Sequence, residues 1–162
     1  MKTVLDCGLA LRPAEGEDMP YVADCIREML VSSVPMAEAS LADLWTGLTV
    51  TVAMDSLSSR RMEDEVFILY EGKRRTGMLW MGISRDQFNS EPVGYLLGIY
   101  VEPAMRGRGI GRELIGCAES WCSDRGLIAM QLEVGCANTA ASELYRSAGY
   151  SVRSTVMSKT LR

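Results

Sequence analysis

The sequence contains no histidine. That one absence excludes a Ser-His-Asp or Cys-His nucleophile pair, an imidazole-bearing zinc site and a histidine general base. In an enzyme, proton transfer then falls to carboxylate, tyrosine, lysine, cysteine, backbone or water. Cationic surplus is missing too, because 17 Lys and Arg stand against 21 Asp and Glu, a formal charge of -4. A general nucleic-acid binder needs the opposite sign to neutralise phosphates. No stretch approaches the roughly 18 to 20 apolar residues of a membrane span. Met1 to Arg12 alternates charged and apolar residues, so no secretory segment is expected there. The five cysteines, Cys7, Cys25, Cys117, Cys122 and Cys136, include no C-x-x-C pair. They are expected to be mostly small core hydrophobes in a reducing, cytoplasmic compartment.

What is present is a core. The chain has 162 residues, 48% of them hydrophobic, and neither repeat nor linker divides it, so residues 1–162 read as one domain. Leu9 to Arg12 reads as a short strand ending at Pro13. Asp18 offers an N-cap, Pro20 falls in the first helical turn, and Val22, Cys25, Ile26, Met29 and Leu30 follow at helical spacing. From Met36 to about Arg60 a helical period runs through Leu41, Leu44, Trp45, Leu48 and Val52. Leu48 to Ala53 nevertheless alternates and is β-branched, which leaves two helices or one with an irregular end. Val66 to Tyr70 and Gly77 to Ile83 read as a hairpin around Glu71-Gly72-Lys73.

Beyond a polar loop from Arg85 to Pro92, strands are expected at Val93 to Val101 and Ile128 to Val134. Helices are expected from Ile110 to near Gly126 and from Thr139 to Ser147, the latter closed by Gly149. Tyr150 to Leu161 completes the pattern with one or two strands. The order β-α-α-β-β-β-α-β-α-β(β) describes a mixed α/β (α+β) domain with an antiparallel first half.

The strongest local signal is the segment Val101 to Arg112, between a strand and a helix. Gly107, Gly109 and Gly111 let backbone N–H groups approach a ligand, and the following helix adds its N-terminal N–H groups and dipole. Arg106, Arg108 and Arg112 concentrate positive charge in an otherwise acidic chain. No Gly-Lys-Ser/Thr is present for a nucleoside-triphosphate loop, and Arg112 stands where the dinucleotide fingerprint needs its third glycine. On glycine spacing alone, an anion cradle and an unliganded turn stand level.

Two blocks add to this reading. V-x-P-x-x-R-G-x-G-I-G runs from Val101 to Gly111. Leu132-Glu133-Val134, Asn138, Ala141, Leu144-Tyr145 and Gly149-Tyr150 follow in order, and Leu11-Arg12-Pro13-Ala14 with Asp18 precedes them. Together they resemble the GCN5-related N-acetyltransferase (GNAT) superfamily. The resemblance implies a single GNAT-like domain whose mixed central sheet, flanked by helices, contains two splayed parallel strands. Acetyl-CoA is implied between Val93–Val101 and Ile128–Val134, with no metal. Its pantetheine arm would pair with the backbone of Ile99, Tyr100 and Val101, and its pyrophosphate would sit on the amides of Gly107, Arg108, Gly109, Ile110, Gly111 and Arg112. An N–H near Ile99 to Val101 would face the oxyanion.

The resemblance also assigns roles. Tyr145 matches the tyrosine that protonates the departing thiolate, while on sequence alone it is equally a packed aromatic. Asn138 is implied as a contact to the cofactor arm and is also placed to cap its helix. Glu133, a lone carboxylate in an apolar strand, is implied as a base acting through water, or else as a group that shapes the pocket. Leu132-Glu133-Val134 is similar to the branch that acetylates ribosomal-protein N-termini. The expected acceptor is therefore a primary amine: a protein N-terminus, or a small amine such as an amino acid, polyamine or aminoglycoside. A non-catalytic acyl-CoA-binding module is the reading from another class. The family also suggests a homodimer.

Met36 to Phe88 should form much of the acceptor side, with Trp45 as a lining residue. Met78, Met81 and Trp80 read as core. Glu63-Asp64-Glu65, Lys73-Arg74-Arg75 and the scattered Asp43, Asp55 and Asp86 read as solvated charges. Cys136 has no evident activator for a thiol nucleophile.

Overall fold

Period-two alternation in the run from Val66 sends Val66, Ile68 and Tyr70 to one side of a sheet and Phe67 and Leu69 to the other. The computed structural model describes residues 4–33, 47, 48, 50–55 and 63–159. Its strands are β1 (Ala10–Pro13), β2 (Glu65–Glu71), β3 (Arg74–Arg85), β4 (Pro92–Val101) and β5 (Met130–Leu132), in that spatial order. The first four are antiparallel neighbours, and β5 joins β4 in parallel. Helix α1 (Met19–Ser33) covers one face, and α2 (Ile110–Ser123) covers the other, followed by α3 (Thr139–Ser147).

Each face has its own core. Val22, Cys25 and Ile26 of α1 pack with Ile68, Met78, Trp80 and Tyr100. Ile110, Leu114, Cys117, Ala118, Trp121 and Cys122 of α2 pack with Leu69, Leu79, Met81 and Leu96. Each fully buried large apolar side chain contributes about 1.5–3 kcal/mol, so this sandwich fixes the middle strands. The hairpin turns at Gly72, whose φ of 59° suits glycine.

The alternation slips once, in β4. Leu96 faces α2, but Leu97 and Gly98 both face α1: Leu97 packs against that core, and a Cβ on Gly98 would stand 2.7 Å from Met29 Cε. The register against β3 shifts at the same place, between Trp80 and Met81. One extra residue is thus accommodated as a β-bulge, which bends β4.

Several expectations need correction. The strand expected at Ile128 to Val134 is only Met130–Leu132, because Ile128 is 95% exposed and the chain joins the sheet only where Gly94 N–H meets the Ala129 carbonyl, at 3.0 Å. Residues 150–159 form no strand. Tyr150 N–H turns back onto the Tyr145 carbonyl (3.0 Å) and Arg153 is drawn to Asp86, so the segment leaves the sheet unpaired. Leu48 to Ala53 reads as alternating, yet residues 47, 48 and 50–55 are helical. Most of the region Met36 to Arg60, including Trp45 and Asp43, lies outside the described residues.

Asp18 precedes α1 but does not serve as a simple exposed cap. It is fully buried; its carboxylate accepts from Glu15 N–H (2.9 Å), Tyr70 Oη (2.7 Å), Arg75 Nε (2.6 Å) and Arg12 Nη1 (3.1 Å). Arg75 is thereby a structural partner rather than a solvated turn charge. Asp86 is also buried: it accepts from Phe88 N–H at 2.8 Å, closing the 86–91 loop, and receives Gln131 and Arg153. Asp64 is half-buried, and burial raises its carboxyl above the usual range.

Candidate active site

The site begins where two strands part. β4 and β5 pair from Gly94 with Met130 to Leu96 with Leu132, after which β4 continues alone to Val101. The bulge at Leu97 and Gly98 lies at the parting point and turns β4 away from its neighbour. About 16 Å of β4 edge, Leu97 to Val101 at ~3.3 Å per residue, faces the resulting gap. Ile99 and Val101 anchor this edge in the α2-side core, while Tyr100 is buried on the α1 side. The three residues expected to meet an extended ligand through their backbone are thus held from both faces.

At the mouth of the gap the chain passes through the 3-10 turn Pro103–Met105 into the glycine loop. Gly107 and Gly109 have φ of 77° and 78°, a region costly for any residue with a Cβ. Open space surrounds both, since a Cβ on either would meet nothing within 4 Å. The hydrogen bonding of α2 starts with Arg112 and Glu113, whose N–H groups both donate to the Gly109 carbonyl. The amides of Gly107 to Gly111 precede that ladder, at the positive end of a helix. This is a cradle suited to a phosphate.

The three arginines are placed differently from the charge cluster the sequence suggests. Arg106 Nε donates to the Val101 carbonyl at 2.8 Å, with its guanidinium 5.8 Å from the centre of the Tyr100 ring. Arg108 Nη1 lies 3.3 Å from Met105 Sδ and 3.8 Å from Glu71. Arg112 donates to the Ser147 carbonyl (2.6 Å) and hydroxyl (3.2 Å). Each guanidinium therefore braces the loop from outside, and Arg112 ties α2 to the end of α3.

Gly111 completes that contact, since a Cβ there would stand 3.0 Å from Leu144 Cδ2. Close approach of the two helices positions the next residue, Tyr145, against the same core that holds Ile99 and Val101. Burial raises the Tyr145 phenol above its ordinary value, so it stays protonated at neutral pH. The Tyr150 ring meets it edge-on at 6.1 Å. Asn138 caps α3, its Oδ1 accepting from Ala141 N–H at 3.1 Å.

Glu133 stands one residue past the last β4–β5 pair, exposed, on the opposite wall of the gap. Tyr95 of β4 lies against it; burial first, and the Glu133 carboxylate second, push that phenol up to about 12. Neither Tyr95 nor the bulge is evident from the sequence. Tyr95 sits in an apolar run and carries no motif; only its position two residues before the bulge connects it with Glu133. Cys136 is exposed just beyond.

A sheet parted on one side, with a backbone anion cradle at the opening, has the geometry of a domain suited to an extended phosphate-bearing ligand along a strand. The model of the acetyltransferase (GNAT) family matches residues 36–150. The chain belongs to that family. It is 31% identical over 128 residues to the aminoglycoside N(6')-acetyltransferase type 1 of Acinetobacter haemolyticus, covering 72% of this chain and 88% of that protein. The enzyme of the same name from Stenotrophomonas maltophilia is 33% identical over 61 residues, which is 38% of this chain and only 40% of that protein. In three dimensions the fold matches the GCN5-related N-acetyltransferase of Ralstonia eutropha with a TM-score of 0.75 at 22% identity, over 95% of this chain and 99% of that one.

Proposed function

We propose that this chain transfers the acetyl group of acetyl-CoA directly to the amine of a small cationic acceptor within a ternary complex. The observation that carries this reading is the gap between β4 and β5 with the amide cradle of Gly107 to Gly111 at its mouth. Acetyl-CoA bound there supplies an activated thioester. The Leu97 to Val101 edge would pair with the pantetheine arm, and the glycine-loop amides would hold the pyrophosphate. Asn138 adds a polar group at the start of α3.

The acceptor nitrogen must be neutral to attack, and an ammonium with a reference pKa near 10 has to lose a proton first. Glu133 takes that proton through water. As the N–C bond forms and the C–S bond breaks, Tyr145 gives its proton to the departing sulfur, and the second proton of the acylated nitrogen leaves through water and restores the phenol. Its burial keeps it protonated, as a donor to that thiolate must be. Holding both reactants in one gap supplies much of the rate.

A small aminated molecule is favoured because the Acinetobacter haemolyticus relative, matched over 88% of its length, carries an aminoglycoside acceptor in its name. A protein N-terminus is the second reading, supported by the Leu132-Glu133-Val134 likeness alone. A thiol-release assay with acetyl-CoA across aminoglycosides, polyamines, amino acids and N-terminal peptides separates them. Tight acetyl-CoA binding with no release for any amine would instead establish a non-catalytic binding module. Tyr145→Phe is expected to lower kcat about 100-fold or more while sparing acetyl-CoA affinity. Glu133→Gln is expected to lose most activity at low pH, where the ammonium is hardest to deprotonate; an equal loss at all pH values removes the base role.

A further inference from the structure

Among the described residues three side-chain atoms are buried without a hydrogen-bond partner: Asp64 Oδ1, Trp80 Nε1 and Trp121 Nε1. The first two are neighbours. Burial raises the Asp64 carboxyl, the Trp80 N–H beside it offsets part of that rise, and no cation takes part. Trp80 is only 8% exposed, so water does not satisfy its N–H freely. An acidic group and an indole donor are thus held together with bonding capacity unused.

Strand geometry puts this pair beside the reacting edge. Asp64 immediately precedes β2 and shares the α1 face with Val66, while Glu65 turns to the other face and meets Arg125. Gly82 of β3 makes room for it: a Cβ there would stand 2.5 Å from Asp64 Oδ1 and 3.0 Å from Leu97 Cδ1. The carboxyl therefore lies over β3, next to the bulge of β4. A second carboxylate stands across β4 on the same face. Leu132 packs on the α2 side, so Glu133 points to the α1 side, where Tyr95 meets it. Gly82 pairs with Tyr95 in the β3–β4 ladder. Both carboxyls are then level with Tyr95, one strand to either side of β4 and about 10 Å from each other. Tyr95, Leu97 and Gly98 form a half-buried strip between them.

We propose that Asp64 selects the acceptor by seating a second, non-reacting ammonium of an amine whose reacting nitrogen lies on the Glu133 side of β4. The substrate class is then an amine with at least two cationic nitrogens, set far enough apart to reach both carboxylates, in preference to a monoamine. The inference rests on the acetyl-transfer reading. A half-buried carboxylate that no cation attends attracts an ammonium more strongly than one in open water. Its desolvation also costs the folded chain free energy that no internal contact offsets, as expected of a group kept for a ligand.

Initial rates with acetyl-CoA over α,ω-diamines of increasing length, each beside the monoamine of equal length, test this. In the wild-type chain KM for a diamine long enough to reach both carboxylates should lie about tenfold or more below that of its monoamine. Asp64→Asn should erase the difference, with the loss falling on KM rather than kcat. Gly82→Ala, which keeps the carboxylate but crowds it, should narrow the difference. A wild-type chain that treats the two series alike overturns the proposal, and so does an Asp64→Asn chain that still prefers diamines. A fall in kcat shared by both series also overturns it, since Asp64 would then act in the chemistry. Removing an unpaired carboxylate should leave the melting temperature level or raise it; a variant that melts lower or does not fold shows that Asp64 serves the fold, and the proposal fails. If no amine releases CoA, the acetyl-transfer reading falls by itself. Calorimetric titration of the same amines into CoA-saturated wild-type and Asp64→Asn chains then decides, by the same tenfold preference and its loss.

Discussion

Gly94→Ala puts the packing of β4 against α2 to a quantitative test. A Cβ built on Gly94 stands 2.1 Å from Cys122 Sγ, 3.4 Å from Cys122 Cβ and 3.7 Å from the Ala129 carbonyl oxygen. The first distance is far inside van der Waals contact, whereas the other two are ordinary. Cys122 is buried on α2 in the same core as Trp121, so its sulfur can give way only by repacking that core. Overpacking of this kind costs about 2–3 kcal/mol. Cys122→Ala alone removes one buried sulfur and should cost about 1 kcal/mol. In the double variant the clash disappears along with the sulfur, so the loss should fall back to about 1 kcal/mol, a coupling of about 2–3 kcal/mol between the two sites. Equilibrium urea unfolding, with the midpoint compared at constant slope, reads all three values. A double variant that loses the sum of the two single losses would falsify the packing argument, because the strain would then lie somewhere other than the sulfur.

Three further outcomes follow from the geometry. Gly109→Ala, at a φ of 78°, should lose roughly 1–2 kcal/mol of stability and weaken acetyl-CoA binding by calorimetry. Gly116→Ala serves as its control: the position is exposed within α2, with nothing within 4 Å of the added Cβ. It should gain about 0.5–1 kcal/mol and leave that affinity unchanged. Burial alone would raise the Asp18 carboxyl, but the Glu15 N–H, Arg75, Tyr70 and the Arg12 charge outweigh it and bring it down to about 2. Since that lies below the unfolded value, the stabilisation is present above pH ~4, is lost as pH falls towards 2, and amounts to about 2 kcal/mol at neutral pH. Asp18→Asn should flatten that acid limb in a pH series of denaturant melts; an unchanged limb would place the titrating group elsewhere.

Much of the framework was legible in the chain because periodicity and punctuation agreed. Val66 to Tyr70 is an apolar run of strand length closed by Glu71-Gly72-Lys73, Pro103 stops β4, and Gly149 closes α3. The glycine loop was legible for a different reason: its function rests on backbone, and glycines announce backbone. The bulge was hidden because Leu96, Leu97, Gly98 and Ile99 are all apolar or small, so a change of face leaves no polar mark. β5 was overextended because an apolar run such as Ile128 to Val134 does not say whether anything covers it. The partners of Arg106, Arg108 and Arg112 were equally invisible. Charge clustering shows where cations gather, but not that a carbonyl, a thioether and a helix end already hold them. Asp64, Arg75 and Asp86 misled in the opposite direction, since a charged residue within a polar cluster looks solvated until a tertiary contact buries it or gives it a buried partner.

Among the described residues burial ends at Cys122, which gives the gap one stiff jaw and one compliant jaw. β4 belongs to a wall sealed on both faces, and those of its amides that are bonded to β3 should exchange hydrogen only through global unfolding. β5, α3 and the tail should open in smaller, cheaper steps and lose protection first. A ligand lying in the gap would then rest against a surface whose shape is already set, while the wall carrying Glu133 would adjust to the amine proposed to enter opposite it. Donor fidelity and acceptor tolerance would in this way be assigned to different strands of a single sheet.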